Sequence, residues 1–189
     1  MSAKHTLMKV AGRFFLKVKN LFSGCIYQYN NSRFKACGKN VRINSGGIFT
    51  YHTISIGSDV FIGANAIMQS RHGEIIIGNH VAFGPCVHIF GGNHEINEVG
   101  KYMKSLSTQN DGQVVIEDDC WIGSNATILK GVRIGRGSVI GAGAIVSKDI
   151  PPYSIYTGVP EVKIRRRFTD AQIEQHEKLL KENERDFIC

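Results

Sequence analysis

The sequence lacks long hydrophobic runs and the signals of export. No stretch approaches the roughly 20 consecutive apolar residues that a membrane-spanning helix needs. The N-terminal segment is basic, and its charged residues interrupt any apolar core of the kind a signal peptide has, so we predict none. We expect the chain to work in the cytoplasm, with at most a peripheral contact at the inner face of a membrane.

Paired cysteines are also missing. The five cysteines are odd in number, scattered along the chain and without a CxxC motif. This pattern argues against a disulfide framework and against a zinc knuckle. It favours a reducing compartment.

Nucleic-acid-binding motifs are absent, although the formal net charge is +7. The positive charge lies mostly at the two ends, and the sequence has no helix-turn-helix, zinc-finger or RNP pattern. We therefore predict no nucleic-acid partner. A polyanionic small molecule or an anionic membrane surface fits the charge better.

What the sequence does have is an internal repeat of six residues between Ile116 and Ile150. An aliphatic residue recurs at every sixth position, and a small or medium residue follows four positions later. The aliphatic residues are Ile116, Ile122, Ile128, Ile134, Ile140 and Val146, and the later ones are Cys120, Ala126, Val132, Ser138, Ala144 and Ile150. A period of six belongs neither to an α-helix nor to a single strand. It predicts a parallel β-helix in which both positions face inward and each coil of 18 residues stacks on the next at about 4.8 Å.

The repeat begins earlier and is interrupted twice. Its earlier members are Cys37, Ile43, Ile56, Ile62, Met68, Ile77, Phe83 and Ile89. The nine-residue step after Met68 predicts a small bulge at 70–73, and the 27-residue step before Ile116 predicts a projecting loop. About five coils result. A loop of this size in a regular solenoid is usually functional.

We predict one domain over residues 1–189, mainly β in class. It comprises a helical capping segment at 1–33, the β-helix at 34–150 with its loop at 91–113, and a C-terminal extension at 151–189. Apolar residues at three-and-four spacing in residues 1–23 predict an amphipathic helix, which either caps the open coil or lies on an anionic membrane. A capping box from Thr169 to Gln172 predicts a last helix ending near Arg185.

The projecting loop contains His94, within the run FGGNHE at 90–95. Histidine is the side chain whose pKa suits proton transfer near neutral pH. The two glycines hold it on an excursion outside the coil wall. We regard His94 as a candidate general base.

Short motifs around this loop complete a pattern. They are FGP at 83–85, GKYM at 100–103, DCWIG at 119–123, ILKGV at 128–132, GAG at 141–143, SKD at 147–149 and PPY at 151–153. Together with the repeat, they resemble the hexapeptide-repeat acyltransferases over roughly residues 37–168. Within that family the resemblance is to the sugar and polysaccharide O-acetyltransferases, the group related to maltose and galactoside acetyltransferases.

The resemblance implies a left-handed coil, which departs from the general right-handed crossover rule. It also implies a homotrimer with active sites between subunits and acetyl-CoA as the donor. His94 would take the proton of an acceptor hydroxyl as its oxygen attacks the thioester carbonyl, without a covalent enzyme intermediate. The backbone N–H of Ser124 would stabilise the oxyanion.

Further donor-side residues follow from the same resemblance. It implies Trp121, Ser124, Gly141 and Ala142, with Lys148, Lys163 and Arg165 as candidates for the CoA phosphates. On the acceptor side, which the resemblance does not determine, the candidates are Gln69, His72, Asn93 and Glu95. No metal is expected.

Two departures from the family pattern leave details open. The closing motif, commonly Gly-Asn-Pro-Ala-Lys/Arg, is GVPEV at 158–162 here, which displaces the basic residue to Lys163. Some sugar acetyltransferases have an aspartate near the position of His72 that contacts the acceptor, whereas this chain has QSRH at 69–72. The acceptor therefore stays open.

Other functions were weighed. N-acetylation of an amino sugar, including a nucleotide-linked one, is the main enzymatic alternative, and a non-catalytic β-helix scaffold is the second. A carbonic-anhydrase-like zinc site is disfavoured because His88 and His94 are six residues apart rather than five. A sugar nucleotidyltransferase would need a large α/β domain, for which 189 residues leave no room.

Overall fold

The protein is described as a computed structural model covering residues 8, 11–15, 29, 31–95, 102–106, 112–158 and 163–186. Its core is built from strands of two to four residues. They are β1 (Ala36–Cys37), β2 (Arg42–Ile43), β3 (Ile48–Phe49), β4 (Ile54–Ile56), β5 (Phe61–Ile62), β6 (Ile67–Gln69), β7 (Ile75–Ile77), β8 (Ala82–Phe83), β9 (His88–Phe90), β10 (Val114–Ile116), β11 (Trp121–Ile122), β12 (Thr127–Ile128), β13 (Arg133–Ile134), β14 (Val139–Ile140), β15 (Ile145–Val146), β16 (Ser154–Thr157) and β17 (Lys163–Arg166). The same part of the chain also forms two 3₁₀ turns, Tyr51–Thr53 and Met103–Ser105, and the helix α1 (Asp170–Asp186).

The strands form three sheets that wrap one core. Sheet A has the order β1-β4-β7-β10-β13, sheet B the order β17-β16-β14-β11-β8-β5-β2, and sheet C the order β15-β12-β9-β6-β3. All pairs are parallel except β16 with β17, which are antiparallel. The chain visits the sheets in turn, so each circuit is one coil, and the fold is the predicted left-handed parallel β-helix.

The register places the six-residue repeat in the core. Ile56 lies beside Ile77 in sheet A, Ile62 beside Phe83 in sheet B, and Met68 beside Ile89 in sheet C. All six predicted aliphatic positions from Ile116 to Val146 are at most 1% exposed. Burying each such side chain contributes about 1.5–3 kcal/mol, and the predicted core is confirmed.

The corner between sheets A and B is sealed by a ladder of side chains. The backbone N–H of Lys39 donates to Ser58 Oγ at 3.1 Å, and that of Ser58 donates to Asn79 Oδ1 at 2.8 Å. The N–H of Asn79 donates in turn to Asp118 Oδ1 at 2.7 Å. Each side chain thereby satisfies a corner N–H that the parallel sheets leave unpaired.

Helix α1 docks on this same corner. Arg167 reaches Asp119 Oδ2 at 3.1 Å and His176 Nε2 lies 3.3 Å from the same oxygen. Arg136 Nε pairs with Glu177 at 2.7 Å. The predicted capping box is present, because the Thr169 hydroxyl accepts from the Gln172 N–H and the Gln172 side chain accepts from the Thr169 N–H.

The structure describes more of the C-terminal extension than of the N-terminal segment. Described residues at 8, 11–15, 29 and 31–32 are helical, and the rest of the predicted amphipathic helix at 1–23 lies outside the described residues. At the other end, β16 and β17 continue sheet B beyond residue 150. Within the described part of the chain, no helix is both long and apolar enough to cross a bilayer.

The buried thiols pack as the repeat predicts. Cys120 is 2% exposed and Cys37 is half-buried. Burial raises the pKa of both thiols, in Cys120 to about 12. Neither thiol is therefore ionised near neutral pH.

Candidate active site

The interruptions of the six-residue repeat all fall at one corner of the coil. The chain breaks register after β3, after β6 and after β9, and each of these strands belongs to sheet C. Because β3, β6 and β9 stack on neighbouring rungs, the three irregular segments also stack. They form a cleft of about 320 Å³ lined by Thr50, Gln69, Ser70, Arg71, Phe90, Gly92, Asn93 and His94.

His94 lies exposed at the rim of this cleft. Three predicted residues meet there: His94, Gln69 and Asn93. His72 and Glu95 are absent from the lining, and both make other contacts. The rest of the predicted loop, at 96–101 and 107–111, lies outside the described residues.

The floor of the cleft is a polar cluster beneath the start of the loop. The Ser70 N–H donates to Thr50 Oγ1 at 2.7 Å, and the Thr53 hydroxyl donates to the Ser70 carbonyl at 2.7 Å. A Cβ added to Gly91 would lie 2.4 Å from Ser70 Oγ, so only glycine fits where the chain leaves the wall. Ser70 Oγ is the one buried side-chain polar atom without a partner in the described part of the chain.

Ser124 lies at a different corner, between sheets B and C. There, no described acceptor lies within hydrogen-bonding reach of the backbone N–H of Ala64, Ser124 or Ala142. Glycines lie directly beneath two of these groups: a Cβ on Gly84 would be 2.6 Å from Ser124 N, and one on Gly123 would be 2.6 Å from Ala142 N. The result is a row of open backbone donors on closely stacked coils, whereas side chains seal the corner between sheets A and B.

The other donor-side candidates are distributed over several faces. Trp121 is 58% exposed on the outer face of sheet B, beside Ala82 and Val139. Lys148 follows β15 of sheet C, whereas Lys163 and Arg165 belong to β17 at the edge of sheet B; all three are exposed.

Two of those candidates differ in their backbone contacts. The N–H of Gly141 is already used, donating to the Tyr156 carbonyl at 2.7 Å. The N–H of Ala142 is open, as noted above. Of this pair, only Ala142 offers a backbone donor to a ligand.

His94 and Ser124 lie beyond opposite ends of the strands of sheet C. Ser124 precedes β12, His94 follows β9, and these two strands pair in parallel with Ile128 beside Ile89. One face of the coil spans about six residues along the strand direction. At about 3.3 Å per residue, this face places roughly 15–20 Å between the two groups within one chain.

A metal centre has no candidate among the described residues, where no group of three or more His, Cys, Asp or Glu side chains converges.

Sequence reasoning missed five lining residues: Thr50, Ser70, Arg71, Phe90 and Gly92. A signal for them existed, because every step longer than six between Phe49 and Ile116 follows a sheet C strand. Once each step is assigned to the same corner, the flanking residues must converge.

Comparisons with known proteins agree with this architecture. A family model described as the hexapeptide repeat of succinyl-transferase matches residues 53–81 and 113–148. The chain is 32% identical over 140 residues to a galactoside O-acetyltransferase of Lactococcus lactis, covering 74% of this chain and 59% of that protein. A probable macrolide acetyltransferase of Lysinibacillus sphaericus is 51% identical over 116 residues, which are 53% of this chain and 64% of that one. The chain thus spans about six-tenths of the length of these curated relatives.

A solved structure is similar over nearly its whole length. It is a hexapeptide-repeat acetyltransferase of Vibrio cholerae in complex with acetyl-CoA, 31% identical, with a TM-score of 0.68 and coverage of 89% of this chain and 91% of that one. An identity above 30% sustained over both chains, with the same coil and the same repeat, establishes the relationship. The chain belongs to the hexapeptide-repeat acetyltransferases.

Proposed function

We propose that the protein transfers an acetyl group from acetyl-CoA to a hydroxyl group of a saccharide. Membership of the acetyltransferase family supports the donor, and the galactoside O-acetyltransferase relative supports the acceptor class. The observation on which the proposal depends is the position of His94, exposed at the rim of a cleft built from three stacked interruptions of the repeat.

The chemistry assigned to His94 is general-base catalysis. Its imidazole takes the proton of the acceptor hydroxyl as the oxygen attacks the thioester carbonyl of acetyl-CoA. Collapse of the tetrahedral intermediate then breaks the C–S bond, and the departing CoA thiolate takes up the proton held by His94 and leaves as the thiol. Gln69 and Asn93 line the same cleft and supply amide groups that match sugar hydroxyls.

The backbone N–H of Ser124 is proposed to hold the oxyanion. It is an open donor at a corner without side-chain caps, as this role requires. Within one chain, Ser124 and His94 lie at opposite ends of the strands of sheet C. The two groups can therefore reach the same substrate only if they come from neighbouring subunits. We therefore also propose a homotrimer with its active sites between neighbouring coils.

Exposed apolar side chains support such subunit contacts. Phe61 and Trp121 lie on the outer face of sheet B, and Ile48 and Ile145 on that of sheet C, each between 42% and 60% exposed. Flat apolar faces of this kind mark association surfaces.

Acetyl-CoA is proposed to lie along the corner between sheets B and C. The amides of its pantetheine arm match the open N–H of Ala142, and the small, exposed side chain of Ala142 leaves room for the arm. Lys148, Lys163 and Arg165, all exposed, are the candidate cations for its phosphates.

The test is acetyl-CoA-dependent release of free CoA across a panel of sugars, nucleotide sugars and glycan fragments. Loss of the product's acetyl group in mild alkali identifies an ester, and its persistence identifies the amide of an amino sugar. A purified protein that neither binds CoA nor releases it with any acceptor contradicts the proposal and favours a scaffold.

A second candidate is O-acetylation of a larger, partly apolar acceptor. The macrolide acetyltransferase relative and the half-buried ring of Phe90 in the cleft wall favour it. Turnover of a macrolide in the same assay, with no turnover of any saccharide, would select it.

A further inference from the structure

We infer that Arg71 makes the protein selective for an anionic acceptor, a saccharide with a carboxylate or phosphate near the hydroxyl that is acetylated. This inference rests on the proposed acetyl transfer and narrows its substrate class. Arg71 was not among the site residues predicted from the sequence, and only the stacking of the coils brings it to His94.

Strand pairing positions Arg71 beside the loop of His94. Gln69 at the end of β6 pairs with Phe90 at the end of β9. Two residues beyond these partners come Arg71 and Gly92, and both line the cleft with His94. Because paired strands lie about 4.8 Å apart, the backbone of Arg71 lies one coil away from the segment that contains the proposed base.

No carboxylate of the described residues forms an ion pair with Arg71, and none of the described residues that line the cleft is acidic. Glu74, the acidic residue nearest in sequence, pairs with Lys35 instead. Glu95 follows His94 but is absent from the lining and has another contact.

A guanidinium in such a setting favours one ligand chemistry. Arginine presents a rigid fork of donors that matches carboxylate and phosphate oxygens, and it holds its charge at every working pH. Around it the cleft offers the amides of Gln69 and Asn93 and the ring of Phe90. These groups suit the hydroxyls and the apolar face of a sugar ring, so the combination fits an acidic sugar.

The phosphates of CoA are the competing anion. Arg71 lies at the corner between sheets C and A, whereas the open row of backbone donors lies between sheets B and C. An arginine that held CoA would change the KM for acetyl-CoA, and one that held the acceptor would change the KM for the acceptor alone. The two possibilities are therefore separable by kinetics.

The experiment compares Arg71→Gln with Lys178→Gln. Lys178 is also exposed, lies on α1 outside the cleft and has no described side-chain partner, so the second variant removes the same charge elsewhere. The acceptors are methyl galacturonoside, galactose 1-phosphate and neutral methyl galactoside. We expect R71Q to raise the KM for the anionic acceptors about tenfold or more, with the KM for the neutral sugar and for acetyl-CoA unchanged and K178Q like the wild type. The carboxylate and phosphate probes distinguish the two sources of charge.

Salt provides an independent readout. Raising the ionic strength from about 0.01 M to about 1 M should weaken anionic acceptors in the wild type and have little effect in R71Q. An equal effect of R71Q on neutral and anionic acceptors overturns the inference. The inference is also overturned if R71Q changes only the KM for acetyl-CoA, or if the wild type prefers a cationic macrolide as acceptor.

If no acceptor is turned over, the binding of the three sugar probes still tests the role of Arg71. That outcome contradicts the proposed acetyl transfer, but calorimetric titration of the full chain with the same three probes still tests Arg71. Anionic sugars that bind the wild type and lose about tenfold in R71Q support the site. Absence of binding, or binding that ignores charge, overturns it.

Discussion

Gly84 lies directly beneath Ser124, so that a Cβ added to the glycine would be 2.6 Å from the Ser124 backbone nitrogen. One coil earlier, Gly63 lies in the same way beneath Pro85, at 2.5 Å from its nitrogen. Pro85 and Ser124 are equivalent corner positions, and proline has no N–H to donate. The fold therefore already accepts a proline where we propose an oxyanion donor.

This equivalence gives a sharp test of Ser124. Ser124→Pro removes the open N–H at a corner that tolerates proline, and we expect turnover to fall by about 10²–10³-fold. Ser124→Ala keeps the N–H and should stay near the wild type. CoA release measured at saturating acetyl-CoA provides the comparison.

The control for backbone effects is Ala64→Pro, at the same corner two coils before Ser124. It should leave both activity and thermal stability close to those of the wild type. Retained activity in Ser124→Pro, with the fold intact, would remove Ser124 from the mechanism.

His94→Ala should lower turnover by about 10²–10⁴-fold, the usual share of a general base. Binding of CoA and the trimer should persist, because His94 is exposed and has no described structural partner. His52→Ala, an exposed histidine outside the lining of the cleft, is the matched control. Dissociation of the trimer in His94→Ala would show a structural histidine rather than a catalytic one.

Cys86→Asn should stabilise the protein by about 1 kcal/mol. Cys86 has a φ of 56°, in the left-handed region, while Asn65 and Asn125 occupy the same corner position in the adjacent coils with a φ of 58°. Asparagine adopts this region more readily than cysteine. Urea unfolding measures the gain, and Cys86→Ala, which keeps the strained Cβ, should show none.

Asp119→Asn should loosen the docking of α1. It removes the carboxylate shared by Arg167 and His176, at a cost of about 1 kcal/mol for a partly buried pair. Amide hydrogen exchange should accelerate in α1 and stay slow in the coils. Asp170→Asn, which breaks the exposed pair with Arg166, should have no measurable effect, and equal acceleration in both variants would contradict the assigned role.

Alkaline pH should destabilise the fold through Cys120. Burial raises the pKa of this thiol from 9.0 to about 12, so the unfolded chain loses the proton first. The stability that the neutral thiol provides is complete below pH 9.0 and is lost as the pH rises towards about 12, with a slope of at most about 1.4 kcal/mol per pH unit. Urea unfolding on both sides of pH 9.0 measures the slope, which Cys120→Ala should flatten. An identical slope in that variant would assign the loss to other groups.

The coil itself could be predicted because its information is local. Ile116 and Ile122 face the core for the same reason, six residues apart, and the inward positions of the short strands are mostly apolar. The start of the last helix could be predicted for the same reason, since a capping box depends on residues three apart. Among the site residues, the loop position of His94 follows from a step that the repeat cannot accommodate.

The cleft was harder to predict because its walls come from different coils. Thr50, Arg71 and His94 are more than 20 residues apart from one another, and they converge only because sheet C stacks the strands that precede them. His72 adjoins Arg71 in sequence but is absent from the lining, a difference that the direction of a bend decides.

The sequence alone thus determined the β-helix, its core and the break that exposes a histidine, because periodic burial is encoded residue by residue. The tertiary structure decided which corner the interruptions of the repeat share and which backbone N–H groups have no acceptor. It also decided that His94 and Ser124 lie at opposite ends of the strands of one sheet. These are properties of stacking between coils, where contacts join residues distant in sequence and no local pattern records them.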